Sequence, residues 1–144
     1  MTPDIRSPAN QQEWDNYFDL RWRILRQPWG QPRGSEKDQL EQTSIHRIAV
    51  IDNRLIAAGR IHVTENNCAQ IRYMAVEADF RRCGIGHKIL HSLEQAALRK
   101  KIYRIELNAR EEAVSFYQNQ QYVLTAPAHT LYEQIKHFKM VKCL

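Results

Sequence analysis

The residues of this chain best suited to chemistry are gathered in one short run, "DFRRCGIGHKIL", Asp79 to Leu90. Gly84 and Gly86 stand one residue apart behind Arg81 and Arg82, in a chain with only 5 glycines among 144 residues. Glycine costs backbone entropy, so a local pair marks an unusual turn or a close backbone approach. The run follows a strand-like segment and opens a helix-like one. The first turn of a helix leaves N–H groups without partners, and the aligned peptide dipoles add positive charge there. A phosphate suits that end. Gly84 and Gly86 carry no side chain to block its approach. Arg81 and Arg82 add charge, and the N–H groups from Arg82 to His87 could form a concave nest. Neither common phosphate fingerprint is present. The G-x-x-x-x-G-K-[ST] pattern is missing, and G-x-G-x-x-G fails because residue 89 is isoleucine. On these residues alone, a plain tight turn explains the pair as well as an anion site does.

The elements that must position this turn follow from periodicity. "QQEWDNYFDLRWRILR" (11–26) reads as an amphipathic helix with Trp14, Phe18 and Trp22 on its core face. Residues 27–44 hold prolines at 28 and 32 and glycines at 30 and 34, which excludes a long regular element. A loop of that length is often functional and could line a substrate pocket. "HRIAVID" (46–52) and "RLIAAGRIHV" (54–63) flank Asn53 as a tight hairpin, and "AQIRYMAV" (69–76) is a third strand. Residues 85–99 read as a helix with Ile85, Ile89, Leu93, Ala96 and Ala97 on one face and Lys88, His91, Gln95 and Arg99 on the other. A strand at 102–109, a helix at 110–120 and strands at 122–126 and 136–144 complete the chain. This order implies a layered α/β (α+β) domain spanning 1–144 around one mixed, mostly antiparallel sheet.

Composition narrows the partners. Hydrophobic residues make up 43% and charged residues 26%, as in an ordinary globular protein. No apolar run approaches the roughly 20 residues needed to span a bilayer. The first residues lack a basic head before an apolar core, so a cytoplasmic address and no membrane partner are expected. Cys68, Cys83 and Cys143 are odd in number and far apart, with no metal-ligand spacing. No metal is therefore expected. The net charge of +5 favours an anionic partner. The basic residues are dispersed, with no recognition-helix motif, so a phosphorylated small molecule is a better fit than nucleic acid.

Arg81-x-x-Gly84-x-Gly86, after a strand ending "MAV" and before an amphipathic helix, resembles the signature of the GNAT superfamily of N-acetyltransferases. The later "IELNAREEAVSFYQNQQYV" is similar to the family's strand and tyrosine helix, with Phe116 and Tyr117 in place. "LRWRILRQPWGQPRGSEKD" and "YEQIKHFKM" look like a bacterial subgroup of it, so the likeness runs from about residue 14 to 142. It implies a sheet with two neighbouring strands splayed apart, helices on both faces and acetyl-CoA in the splay. Backbone of Met74, Ala75 and Val76 would pair with pantetheine. Arg81, Arg82, Cys83, Gly84, Ile85, Gly86 and His87 would hold the pyrophosphate. Tyr117 would face the sulfur. Asn108 could bind pantetheine or substrate, or cap the next helix.

The chemistry implied is acetyl transfer to a primary amine of a small molecule or protein. The amine must lose a proton, the developing oxyanion needs donors and the thiolate benefits from a proton. Tyr117 fits the last need. A backbone N–H between Met74 and Val76 fits the second. Where some members carry a base, this chain has Gln70, which leaves Glu77, His62, His137 or water. Arg60 and Arg72, costly on central strands unless paired, could hold a substrate carboxylate or pair with Glu106. Lys100-Lys101 and Gln121 stand where the family has helix-ending glycines, which puts those loops in question. A non-catalytic acetyl-CoA sensor of the same fold is the alternative. A homodimer is also implied, with the C-terminal strand as the suspected edge.

Overall fold

The computed structural model describes residues 2–144. The chain runs β1 (Asp4–Arg6), α1 (Gln11–Leu25), β2 (Ile45–Ile51), β3 (Arg54–Val63), β4 (Cys68–Val76), α2 (Ile85–Arg99), β5 (Arg104–Arg110), α3 (Val114–Asn119), β6 (Val123–Leu131) and β7 (Ile135–Cys143). The strands form one sheet in the order β1-β2-β3-β4-β5-β7-β6. Every neighbouring pair is antiparallel except β4 and β5. The mixed, mostly antiparallel sheet expected from the sequence is therefore present. The C-terminal strand β7 lies inside the sheet, between β5 and β6, so the rim suspected at the C terminus belongs to β6 instead.

Two apolar clusters cover the two faces. Ile85, Ile89, Leu90 and Leu93 of α2 pack with Ile61, Ile71 and Leu107 of the sheet. Tyr17, Leu20 and Leu25 of α1 pack with Ile48, Ala58, Tyr73 and Ala75. Each fully buried Leu or Ile stabilises the fold by about 1.5–3 kcal/mol. Asn10 caps α1 by accepting the Glu13 N–H at 2.9 Å. The buried stripe of α1 is Tyr17, Leu20, Arg21 and Leu25, whereas Trp14, Phe18 and Trp22 are only half-buried. Tyr17 and Arg21 win the inner positions because each finds a polar partner there. The Tyr17 hydroxyl lies 2.7 Å from His46 Nδ1, and Arg21 holds both oxygens of Glu41 at 3.0 and 2.8 Å.

Local geometry follows the sequence closely at the turns. The β2–β3 hairpin closes through Asp52 and Asn53, both at positive φ (49° and 63°), as a two-residue hairpin turn requires. Where glycines were absent, Lys101 (φ 60°) and Gln121 (φ 74°) adopt the left-handed conformation themselves. Each ends its helix in a Schellman arrangement. The Ile102 N–H reaches Ala97 O at 3.0 Å, and the Tyr122 N–H reaches Tyr117 O at 3.0 Å. The loop geometry thus persists without glycine.

One glycine is demanded by space. Strands β3 and β4 slip register between Ala58 and Arg60, so Gly59 opposes both Tyr73 and Met74 in a bulge. A Cβ on Gly59 would sit 2.6 Å from Ile89 Cγ2 and 2.6 Å from Met74 Sδ. Gly59→Ala is expected to destabilise the fold by about 1–3 kcal/mol through overpacking, read as a lower denaturant midpoint at unchanged slope. A midpoint equal to that of the parent would contradict this packing account.

Candidate active site

The parallel pair β4–β5 is short. Residues 68–71 of β4 meet 104–107 of β5, and beyond Ile71 and Leu107 the strands part. From Tyr73 on, one edge of β4 therefore has no strand partner, while its other edge continues on β3 through Ala75 and Val76. The splay opens into a cavity of about 340 Å³ lined by Gln70, Met74, Asn108 and Tyr117, among others. A wider hollow of about 820 Å³, between Trp14 and Phe18 of α1 and Arg99 of α2, holds none of the residues singled out for chemistry.

The bulge shapes the wall of the splay. Tyr73 takes φ 58°, a strained value for an aromatic residue. The extra residue breaks the strand alternation. Ala69 and Ile71 pack toward α2 along with Met74 and Val76, but Tyr73 and Ala75 pack toward α1. Tyr73 lies beneath four guanidinium groups, with Arg21 at 3.8 Å, Arg72 at 4.7 Å, Arg60 at 4.9 Å and Arg26 at 5.7 Å from the ring centre. Such contacts help hold a bulge in place.

The glycine turn leaves its helix end open. Gly84 has φ 79° and no side chain caps α2. The first bond of the helix is Lys88 N–H to Gly84 O at 3.2 Å, so the N–H groups before it lack helical acceptors. The two glycines do different jobs. Nothing lies within 4 Å of a Cβ built on Gly84, so this side of the turn is free for a ligand. A Cβ on Gly86 would instead press on Phe116 Cζ at 3.3 Å, so Gly86 lets α3 pack close to α2. Arg82, Cys83 and His87 are exposed around the turn, and Ile85 is buried beneath it. Arg81 folds back, its Nε donating to Val76 O at 3.2 Å. That contact occupies a carbonyl which the family resemblance assigns to pantetheine.

Tyr117 is buried on α3 and lines the splay cavity. Burial alone pushes its phenol above the usual range, so it keeps its proton at neutral pH. Asn108 is exposed at the cavity and caps no helix, since the turn after β5 starts without a side-chain cap. The candidate bases separate clearly. Glu77 is held by Arg23 at 3.1 Å and Arg54 at 3.3 Å. His62 lies 3.3 Å from the Arg60 guanidinium and lines a different, smaller cavity. His137 lines the splay cavity, stacked on His129 at 4.3 Å. Burial first, then the neighbouring His129, hold its pKa below the ordinary histidine value. Its Nδ1 lies 3.0 Å from Ile135 O. A carbonyl only accepts, so in the neutral ring Nδ1 carries the hydrogen and Nε2 the lone pair.

Sequence reasoning missed the acids that organise this wall. Asp38 holds Arg60 at 2.7 Å and Arg72 at 3.1 Å, and Glu41 holds Arg21 at 2.8 Å and Arg60 at 2.9 Å. Arg60 and Arg72 thus pair with Asp38 rather than with Glu106, which takes Arg104 and Lys139. The loop at 27–44 supports the cavity through these acids and contributes no lining residue to it. The available signal was Arg60 itself, since a guanidinium on a central strand demands a carboxylate.

A sheet that splays at the junction of β4 and β5, with an open helix end after β4 and a buried tyrosine in the splay, matches the layout that the GNAT resemblance implies. The model of the acetyltransferase (GNAT) family matches residues 14–122, and the chain belongs to that family. It is 26% identical over 133 residues to Uncharacterized N-acetyltransferase YjcF of Bacillus subtilis (strain 168), covering 92% of this chain and 94% of that one. Its fold is similar to that of an aminoglycoside 6′-N-acetyltransferase solved with coenzyme A (TM-score 0.82, 15% identity, 99% and 97% of the two chains). It is similar also to an acyl-CoA N-acyltransferase from Pseudomonas aeruginosa (TM-score 0.83, 20% identity, 99% and 100%). Among the described residues no helix is long and apolar enough to cross a membrane.

Proposed function

We propose that this protein, as one domain, transfers the acetyl group of acetyl-CoA to a primary amine by direct attack within the β4–β5 splay. The observation that carries this reading is the pairing, in one cavity, of the unpaired edge of β4 with a protonated Tyr117. The open helix end at Gly84 follows β4 directly, and its Gly86 lies against Val76 and Phe116, the neighbours of that edge and of Tyr117. The residues fit acetyl-CoA. The free N–H groups between Arg82 and His87 would receive the pyrophosphate, and the open space at Gly84 lets it approach. Met74, Ala75 and Val76 would offer backbone to pantetheine once Arg81 releases Val76 O. Acetyl-CoA supplies an acetyl group activated as a thioester.

The chain supplies the rest. His137, neutral at pH 7, takes a proton from the amine through Nε2 or an intervening water. The amine nitrogen bonds to the acetyl carbon while the carbon–sulfur bond breaks. A β4 N–H between Met74 and Val76 steadies the carbonyl oxygen. Tyr117 returns a proton to the departing sulfur. Two environments drive the pKa values of Tyr117 and His137 apart, which divides acid from base.

Calorimetric titration with acetyl-CoA, beside a Gly84→Glu variant, tests the binding mode. Saturable binding by the parent is expected, with at least about a 100-fold loss in the variant, which sets a carboxylate against the phosphates. Absence of binding by the folded parent would reject the proposal.

A further inference from the structure

The splay cavity is rich in cations. Arg26, Arg72 and Arg110 all line it, together with His129 and His137, and no aspartate or glutamate lines it. Cross-strand pairing explains their convergence. Arg110 of β5 stands opposite His137 of β7, and Asn108 opposite Lys139, so these side chains share one face of the sheet. Arg26 enters from just after α1, and Arg72 from β4 ahead of the bulge.

The three guanidinium groups are only partly satisfied. Arg72 gives one nitrogen to Asp38 at 3.1 Å, but Asp38 also serves Arg60, and the Arg72 side chain stays 41% exposed. Arg26 donates to two carbonyls, Ser35 O at 2.9 Å and Leu25 O at 3.3 Å. Arg110 donates to Leu25 O at 3.0 Å and, among the described residues, forms no ion pair. Burial and the Arg26 charge lower the Arg110 pKa, and Glu112 does not offset them. A half-buried guanidinium held by carbonyls alone retains donors suited to a planar or tetrahedral oxyanion.

Resting on the acetyltransferase reading, we infer that the acceptor is an amine that also carries an oxyanion group, a carboxylate or a phosphate, which Arg72 and Arg110 bind while the amine reaches the splay. Polycationic amines are disfavoured at the same wall, because like charges would meet inside a confined cavity.

The test uses matched pairs of small amines. The probes are 4-aminobutyrate against butylamine and O-phosphoethanolamine against ethanolamine, with spermidine as the polycation. Acetyl-CoA binding is measured first, because its absence would remove the acetyltransferase reading itself. Affinity of each amine for the CoA-loaded protein is then measured by NMR titration, so that an amine that is not turned over still counts. Acetylation is followed by thiol release. At least one oxyanion-bearing amine should bind about 10- to 100-fold more tightly than its neutral partner, the effect of one or two charge-assisted hydrogen bonds. Arg110→Met and Arg72→Met should each cut that preference at least about 10-fold while acetyl-CoA affinity holds. Arg110→Met reports even if Arg72→Met disturbs Asp38. Equal or tighter binding of both neutral partners or of spermidine, or a preference that survives both substitutions, would overturn the inference and leave acetyl transfer standing. Carboxylate and phosphate sources separate by which pair shows the larger ratio.

Discussion

Tyr117→Phe is expected to lower kcat for amine acetylation by about 100- to 10,000-fold, the usual worth of a positioned general acid. Acetyl-CoA affinity should stay within about threefold, because the ring and its packing remain. Stability should hardly move, since burial alone shifts this phenol and no hydrogen bond or charge partner contributes. The pH profile sharpens the assignment. The His137 pKa lies below its ordinary value, so the ring is neutral at pH 7 and activity should fall only as acid protonates it, below about pH 6.5. His137→Gln should lower the rate and abolish that acid limb, while Tyr117→Phe should lower the plateau and keep the limb. A Tyr117→Phe enzyme with unaltered kcat would exclude the phenol as proton donor. A wild type that binds acetyl-CoA yet acetylates no amine would favour a sensor.

Glu41→Ala is expected to cost about 3–5 kcal/mol of folding free energy, a large share of what holds a domain of this size together. Arg21 is fully buried, and among the described residues Glu41 is its one carboxylate partner, its other hydrogen-bond partners being the Tyr17 hydroxyl and the Glu36 carbonyl. The Nε–H donors of Arg21 and Arg60 are already buried without an acceptor, so no spare acceptor stands ready to replace the carboxylate. Arg60 keeps Asp38. Burial pushes the Asp38 carboxyl up, but the Arg60 and Leu40 hydrogen bonds outweigh it and hold the pKa at about 2. A carboxyl whose folded pKa is depressed stabilises the fold fully above its unfolded pKa of about 4 and loses that effect as pH falls toward 2. Urea melts at pH 7 and pH 3 check both statements. A Glu41→Ala midpoint near that of the parent at pH 7 would show that Arg21 finds another counter-charge.

The parts of the fold legible in the sequence are those set by local rules. The hairpin at Asn53 and the helix from Ile85 to Arg99 depend on turn chemistry and on one apolar stripe, and both stand where periodicity puts them. The sites that escaped reading depend on distant partners. Tyr17 and Arg21 displaced the tryptophans from the inner face of α1 because His46 and Glu41, far along the chain, satisfy them. The β4 bulge leaves no mark on β4 itself, since the residue it requires to be small is Gly59 on another strand. Strand β5 begins at Arg104 rather than Ile102, whose N–H closes the end of α2. The helix expected at 110–120 shrinks to Val114–Asn119, preceded by a 3-10 turn at Glu111–Ala113. Strand β6 runs past Pro127 to Leu131, because an edge strand tolerates a missing donor. The short β1 at Asp4–Arg6 is set by its pairing with β2 and has too few residues for any periodicity. At the site, the glycine turn and Tyr117 were visible as residues. The reason for Gly86, which is Phe116, was not.

The placement of unpaired backbone has a consequence for self-association. Exposed strand edges recruit other chains into growing sheets. Here both outer rims are blunted: β1 is three residues long, and β6 carries Pro127 and two breaks in register with β7. The open run of β4 lies in the interior of the sheet, behind the convergence of β4 and β5 at Ile71 and Leu107. A polypeptide strand needs about 4.8 Å on each side and a straight approach to join a sheet. A cleft closed at one end admits a slender amide-bearing arm more readily than a second protein. The fold can thus keep a strand edge permanently free without inviting aggregation.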